Sequence, residues 1–562
     1  MTPQLPPRNP APESSQIPST VNKTTRTRTS DQRLVRILSG DHFGVDGRLV
    51  EVQVDVSSAG KSSFVIVGLA GKSTRESRDR IQSAIVNSGF WFPFADRVLV
   101  NLAPAFRKKD GAVFDLPVAL GILLATGQVL LDGVRVGGKL RVPLGFLGEL
   151  GLQGELRPVP GALLVAIALR DSGVKAVVVP RESAREVAVA PGVQVLPAGD
   201  LHEAVRALTG AESDGEGGVR RWGMPTYEPA CVGCSNVVAS PAAEFADVRG
   251  QEVTKHGILV AAAGGHNLLM VGPPGVGKTM LACRVPGILP PMDCEQSLEV
   301  LRVYSVSGVE DSRGRVEERP FRAPHHTISY AGLAGGGNPP RPGELSRAHN
   351  GVLFLDELPE FSRRVLEVLR QPLESQRITI ARSSGAVTFP ARVLIVAAMN
   401  PCPCGYAGES SSRCRCGERV LQSYRRRVSG PLLDRIDLVL EVAQPSAAEI
   451  LERGERLTGM SSEYMRGHVI KARAMQKKRW SGNQLNADVP EETLLREGRL
   501  SSDALSTLVA EAGRRSLSAR GMSRVLRIAR TLADLAGRTD VGSGSILEAL
   551  ALRRRGADIQ LF

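Results

Sequence analysis

A chain of 562 residues with 42% hydrophobic content exceeds one ordinary core and has ample apolar material to fold, which predicts two to four domains. A formal charge of +13 and a pI near 9.6 point to a polyanionic partner, nucleic acid ahead of membrane, because no long amphipathic basic helix stands out. An aromatic content of only 4% disfavours a broad base-stacking surface and leaves backbone contacts by Lys and Arg.

Residues 1–31, rich in Pro, Ser, Thr and Arg, read as a disordered tail. From there the texture changes. Val50, Val52, Val54 and Val56 alternate with Glu51, Gln53 and Asp55 as in a half-buried strand, and strands at Phe64–Val67 and Val98–Leu102 follow, with helices near Ser73–Asn87 and Asp115–Thr126. This predicts an α+β domain over 32–210. The run beginning Ala211-Glu-Ser-Asp-Gly reads as a flexible linker over 211–244, past Cys231 and Cys234. A core over 245–445 alternates a helix at Gln251–Ala263 with apolar runs ending at Val271, Glu357, Asn400 and Val442, the pattern of a parallel sheet with helices on both faces. Beyond it, 446–562 is almost wholly helical, with candidates at Ser462–Lys477, Ser502–Ala512, Met522–Leu535 and Ser545–Leu552. The fold class is a multidomain α/β protein. The most apolar stretch, Leu116 to Thr126, is too short for a bilayer and no signal peptide is evident, so a cytoplasmic protein without membrane association is expected.

The strongest chemical signal is the strand Leu268–Val271 running into Gly272-Pro273-Pro274-Gly275-Val276-Gly277-Lys278-Thr279. Glycines at 272, 275 and 277 let backbone N–H groups face the β- and γ-phosphates of a nucleoside triphosphate, Lys278 adds a mobile charge, and Thr279 offers a hydroxyl to Mg²⁺. Val352–Leu355 then runs into Asp356 and Glu357. Asp356 is expected to hold Mg²⁺ through water and Glu357 to polarise the attacking water, which favours a hydrolysing motor. Asn400 ends another apolar strand; it is either a group that orients that water or a turn-forming Asn before Pro401. Thr379–Pro390 reads as a hairpin around Ser383-Ser384-Gly385.

Taken together, Asp247–Gln251, Ala261–Met270, Arg322–Ser329, Pro342–Glu357, Asn400–Gly405 and Gly430–Asp437 resemble the magnesium-chelatase-like AAA+ ATPases of the bacterial YifB/ComM type over nearly all of 33–560. The resemblance implies a homo-hexameric ring with ATP between subunits and, in ComM relatives, ATP-driven branch migration of branched or single-stranded DNA during uptake and recombination. It implies that Asn400 is a sensor and that Arg435 is an arginine finger for a neighbour's site; an ion pair of Arg435 with Asp434 or Asp437 is the alternative. It implies that Arg520 is a second sensor serving its own chain's site, with Arg524 the substitute. The hairpin with Arg382 and the stretch Ala331–Gly337 take the place of channel loops, and surface turns are the alternative for both.

Four thiols at Cys402, Cys404, Cys414 and Cys416 suit tetrahedral Zn²⁺, with free thiols in a mobile loop the alternative; Cys283 and Cys294 read as buried or partly buried. The first domain resembles the Lon-protease fold, but Val113 and Leu163 stand where that family's serine and lysine would be, so no peptidase activity is expected. Two functions therefore compete: a DNA-remodelling ring ATPase, and a protein-remodelling or metal-insertion ATPase like the magnesium-chelatase motor. Transcriptional activation through σ54 is disfavoured, because Ile328–Gly335 lacks the substrate loop it needs.

Overall fold

The computed structural model describes residues 34–58, 61–68, 72–106, 109, 111–130, 135–136, 139–140, 144–209, 211–213, 219–221, 244–307, 318–382, 385–407, 414–444, 460–480, 482 and 484–553. The expected tail at 1–31, most of the linker with Cys231 and Cys234, and the hairpin tip at Ser383 and Ser384 lie outside them.

The first sheet has seven strands in the order Gln194–Ala198, Ala176–Pro180, Leu144–Phe146, Leu34–Phe43, Asp46–Ser57, Arg97–Ala103, Ser63–Val67. The valine alternation decides its register. Val52 faces Leu102, Val54 faces Val100 and Val56 faces Val98 across an antiparallel pair, and all six are buried. A one-residue slip would turn this whole set toward solvent, so the burial itself holds the pairing. Each such side chain stabilises the sheet by about 1.5–3 kcal/mol. The helix Asp115–Ala125 is buried from Asp115 through Leu124 and lies so close to the sheet that a Cβ at Gly121 would sit 2.5 Å from Val54 Cγ2. Several elements carry too little periodicity to be expected from sequence, among them the strand Leu34–Phe43, the parallel pair Ala176–Pro180 and Gln194–Ala198, and the helix Ala162–Asp171.

A second sheet of five parallel strands runs Phe321–Arg322, Val352–Leu355, Leu394–Met399, Leu268–Val271, Leu438–Glu441. Its apolar runs lack polar alternation because both faces are covered. Met270, Phe354, Val396 and Leu440 point into one core, and Leu269, Leu355, Ala397 and Met399 into the other. The first of these cores also takes Val469, Val525, Ile528, Leu532 and Ile546, so the C-terminal helices share a core with the sheet. The four longest are Ser462–Arg479, Ser502–Arg515, Ala519–Leu535 and Ser543–Leu552. The third helix begins earlier than its apolar pattern predicts, because the Ser518 side chain accepts from the Gly521 N–H and caps it.

The two sheets meet at two places. Leu163, Ile167, Val189 and Ala190 pack against Leu301, and the Gly161 N–H donates to the Ser305 carbonyl at 3.1 Å. The turn with Phe43 and Val45 packs on the second core beside Val387 and Phe389. No described helix is long and apolar enough to cross a membrane.

Candidate active site

The loop after Leu268–Val271 curls as its glycines require. Gly275 and Gly277 have φ of 82° and 89°, the left-handed region that side chains disfavour, and a Cβ at Gly272 would lie 2.3 Å from the Val442 carbonyl oxygen. Nothing lies within 4 Å of a Cβ built on Gly275, which leaves the cradle open where phosphates would sit. Gln251 holds the loop from behind, its Nε2 donating to the carbonyls of Val276 at 3.1 Å and Ala443 at 2.9 Å.

Lys278 opens the helix Lys278–Ile288 and is 8% exposed. Its Nζ donates to the Gly272 carbonyl at 2.7 Å, the Pro273 carbonyl at 2.8 Å and Asn400 Oδ1 at 3.0 Å. Burial lowers its pKa, and the charges of Asp356 and Glu357 oppose that shift. Thr279 Oγ1 donates to Asp356 Oδ2 at 2.7 Å, so two oxygens suited to Mg²⁺ already converge. Asp356 Oδ1 in turn accepts the Glu357 N–H at 2.9 Å. The structure therefore gathers Lys278, Thr279, Asp356, Glu357 and Asn400 around one loop.

Glu357 has φ 51° and ψ 48°, a left-handed conformation for a residue with a side chain. Such backbone persists only where its surroundings over-determine it. Its Oε2 lies 3.3 Å from His326 Nδ1, an ion pair whenever the imidazole is protonated. Nothing at the sequence level couples His326 to Glu357, since the two strands that carry them pair only through Phe321–Arg322 and Val352–Leu353. The phrase Arg322-Ala-Pro-His-His was the available signal, and its chemistry appears only in three dimensions.

The arginines lie elsewhere. Arg435 precedes the strand Leu438–Glu441, whose N-terminal residue Leu438 pairs with Leu268 in parallel register. The phosphate loop leaves the opposite end, about 13 Å along four strand residues. Arg435 does not pair with Asp434 or Asp437; it forms its ion pair with Glu374 and donates to the Pro431 carbonyl at 2.7 Å. Arg524 is the residue at Asp437, with its Nη1 3.4 Å from Oδ1 and 3.1 Å from the Ile436 carbonyl. Farther along the same helix, Thr531 Oγ1 sits 2.8 Å from His266 Nε2, just before the nucleotide strand. The helix Ala519–Leu535 thus crosses the sheet at the strands' N-terminal ends. Exposed Arg520, in its first turn, belongs to the side of Arg435 and not, as expected, to its own phosphate loop. A cavity of about 960 Å³ lined by Pro431, Asp434, Ser518, Gly521 and Arg553 lies beside both arginines.

The hairpin pairs Arg377–Arg382 with Gly385–Pro390 in antiparallel register and leaves Arg377, Thr379 and Arg382 exposed. Residues 330–337 are more ordered than a loop: the short helix Tyr330–Ala334 runs into Gly335–Gly336, which pairs with Arg341–Pro342. The Sγ atoms of Cys402, Cys404, Cys414 and Cys416 lie within 4.8 Å of one another, a group able to hold a metal ion. Cys283 and Cys294 are exposed, contrary to expectation, because Cys283 falls on an outward position midway along Lys278–Ile288 and Cys294 is the first residue of the helix Cys294–Ser307. In the first sheet's region Val113 and Leu163 are buried apolar side chains, and Lys109, 1% exposed, donates to the carbonyls of Gly68, Leu102 and Pro104.

Comparison with known proteins adds family. The model for magnesium chelatase subunit ChlI matches residues 244–450, a second model for ChlI of Mg-chelatase matches 50–183, and that for the ChlI C-terminal region matches 459–553. The chain is 38% identical over 522 residues to the competence protein ComM of Haemophilus influenzae, covering 92% of this chain and 97% of that one. It is 39% identical over 511 residues to YifB of Escherichia coli, covering 91% and 95%. Similarity to the magnesium-chelatase 67 kDa subunit of Heliobacterium mobile, 27% over 200 residues, spans 30% of each chain.

Proposed function

This chain belongs to the magnesium-chelatase-like family of ComM and YifB, AAA+-like ATPases, and on that premise we propose that it hydrolyses ATP to move DNA. The observation that carries hydrolysis is the convergence of Lys278, Thr279, Asp356, Glu357 and Asn400 on one open loop. Backbone N–H groups from Gly272 to Thr279 bind the phosphates, and Lys278 neutralises charge there. Thr279 and Asp356 hold Mg²⁺, which when bound screens the phosphate charge. Glu357 accepts the proton of the attacking water while Asn400 orients that water.

Arg435 precedes its strand at the end away from the phosphate loop, and Arg520 stands one helical turn before Arg524, which lies against Ile436 at that same end; this supports a ring in which both arginines reach a neighbour's site. A homo-hexamer is the assembly we infer from this arrangement. The DNA reading draws on the formal charge of +13, on the exposed Arg377 and Arg382 of the hairpin, and on ComM being named a competence protein. Branched or single-stranded DNA is the proposed substrate, and branch migration the proposed outcome. We read the first sheet and its helices as a Lon-protease-like scaffold without peptidase chemistry, because Val113 and Leu163 bring neither a nucleophile nor a base. The four cysteines are read as the site of a structural Zn²⁺. The magnesium-chelatase models favour a second reading, remodelling of a protein or insertion of a metal.

ATPase activity measured with and without a four-way junction, alongside junction migration, separates the two. Stimulation by DNA with migration supports the first, and full ATPase activity with no response to DNA removes it. Mixing Lys278→Ala with Arg435→Ala chains should restore part of the hydrolysis each lacks alone, and no rescue at any ratio argues against a shared site.

A further inference from the structure

Four sulfurs that take no part in the proposed hydrolysis gather around a turn that packs on the phosphate loop through Gly405. Cys402 follows Asn400 by two residues, Cys404 completes the turn, and Cys414 and Cys416 return just ahead of the helix Glu418–Arg425. The Cys402 sulfur is 3.3 Å from that of Cys404 and 3.9 Å from that of Cys414, and the Cys404 and Cys414 sulfurs are 3.7 Å apart. A tetrahedral zinc tetrathiolate, with bonds of about 2.3 Å, has sulfur–sulfur edges of about 3.8 Å. A disulfide would need about 2.05 Å, and none of the four is in one.

The backbone around them also fixes the position of one sulfur. The N–H groups of Gly405 and Ala407 both donate to Cys402 Sγ, at 3.2 and 3.3 Å, although that residue is wholly buried. Two N–H donors converging on one buried sulfur hold it in place toward the other three, and among the described residues these four thiols alone form a ligand set, one that suits soft Zn²⁺.

The cluster's position makes it more than a local staple. Gly405 has φ 88°, and a Cβ added there would lie 2.5 Å from Pro274 Cδ in the phosphate loop. Asn400, at the other side of the turn, accepts from Lys278 at 3.0 Å. Buried Tyr424, on the helix that follows Cys416, hydrogen-bonds to the Asn400 backbone. The sulfurs therefore tie the end of the sensor strand, the phosphate loop and the next helix into one piece.

Resting on the zinc reading of these thiols, we propose that the ion held by Cys402, Cys404, Cys414 and Cys416 braces the Asn400 turn against Pro274, so that metal occupancy sets the order of the phosphate loop. Without the ion, the four thiols are left with weak S–H contacts to one another, and the turn after Asn400 is held less firmly against the phosphate loop and Lys278.

The test uses the full chain and three readouts. Elemental analysis should find about one zinc per chain, and cobalt substitution should give the thiolate charge-transfer and d–d bands of a tetrahedral S₄ site; Cys414→Ser and Cys416→Ser should lose both. Hydrogen exchange should quicken about tenfold or more on metal removal at 272–278 and 400–407, and zinc should reverse this in wild type only. Because a cysteine variant can misfold, Gly405→Ala supplies the second arm: it should keep its zinc and cobalt spectrum yet show the same faster exchange at 272–278. Absence of metal, or four thiols recovered as two disulfides, overturns the site. Zinc present with unchanged exchange at 272–278 in both stripped and Gly405→Ala protein overturns the brace. None of the three readouts depends on ATP turnover, so failure of the ATPase reading would show separately, as a zinc-loaded, ordered and inactive protein.

Discussion

Two loops in this molecule each bury a lysine at or just ahead of a helix, and they do opposite things. Lys109 is closed in: its ammonium is spent on the carbonyls of Gly68, Leu102 and Pro104, while Asp115, at the head of its helix, pairs with Arg80 at 3.0 Å. The side chains around it, Val113 and Leu163, are apolar and buried. Lys278 also takes two backbone carbonyls, but its third partner is Asn400, and the space above Gly275 is open. A buried charge fully satisfied by the fold is structural; one satisfied partly by groups that a ligand can replace is poised for chemistry.

The sharpest break of this comparison is substitution of the two lysines. Lys278→Ala should lower ATP turnover by about a hundredfold or more, as loss of one preorganised charge at a phosphate does, with a smaller loss of melting temperature than at Lys109, because water can enter the open loop and take up the Gly272 and Pro273 carbonyls. Lys109→Met should do the reverse. It leaves three inward carbonyls unpaired, each costing about 1–3 kcal/mol, so denaturant unfolding should show several kcal/mol of loss while any surviving folded protein hydrolyses ATP normally. If both substitutions act mainly on turnover, the distinction fails.

A comparable loss of stability, without any loss of chemistry, is expected at the salt-bridged knot of the C-terminal helices. Asp534 takes both Arg479, at 2.6 Å, and Arg530, at 3.0 Å, with its side chain fully buried. Asp534→Ala strands two guanidinium groups and should cost about 3–5 kcal/mol, read as a lower denaturation midpoint.

Acid and base should separate the two regions next. Burial raises the Asp115 carboxyl from 3.8 to about 6, against hydrogen bonds from Ser77 and Arg80. The folded state binds that proton more tightly, so its contribution is complete below the unfolded value and is lost as pH rises through about 6. Burial lowers His266 from 6.5 to about 4, against the charge of Asp437. That contribution is complete above 6.5 and is lost as pH falls toward about 4. Each shift corresponds to about 3 kcal/mol. Unfolding of the first region, followed by exchange in Val50–Val56, should therefore become easier from pH 4 to 6, and that of the second, followed in Leu268–Val271, should become harder from 4 to 6.5. Asp115→Asn and His266→Asn should each flatten only their own slope; parallel slopes in the two regions would contradict this assignment.

The smallest effect expected is at His326. Removing one half-buried pairing partner from Glu357 is worth about 1 kcal/mol, so His326→Ala should change kcat about fivefold with little change in nucleotide affinity, and His326→Gln should recover part of it. A change confined to affinity would assign His326 to binding instead.

The apolar runs that became the parallel sheet were legible because a strand covered on both faces needs no pattern but continuity, and the valine alternation was legible because one-sided burial imposes a period of two. The same holds for the nucleotide loop, whose glycine conformations and Lys278 contacts depend on a few consecutive residues. What the chain alone could not decide depends on pairings between distant segments. The resemblance offered Arg520, with Arg524 as substitute, for one role without saying what lies opposite either; the tertiary structure sets Arg524 against Asp437 and puts Arg520 one turn earlier on the helix, toward the end of the sheet away from its own loop. It also chose Glu374 as the partner of Arg435, brought His326 to Glu357, and laid Gly405 on Pro274. Local backbone chemistry is written in adjacent residues, whereas the direction from which a charge approaches is set only when helices and sheets pack, and that packing is a sum over contacts that no single stretch of sequence contains.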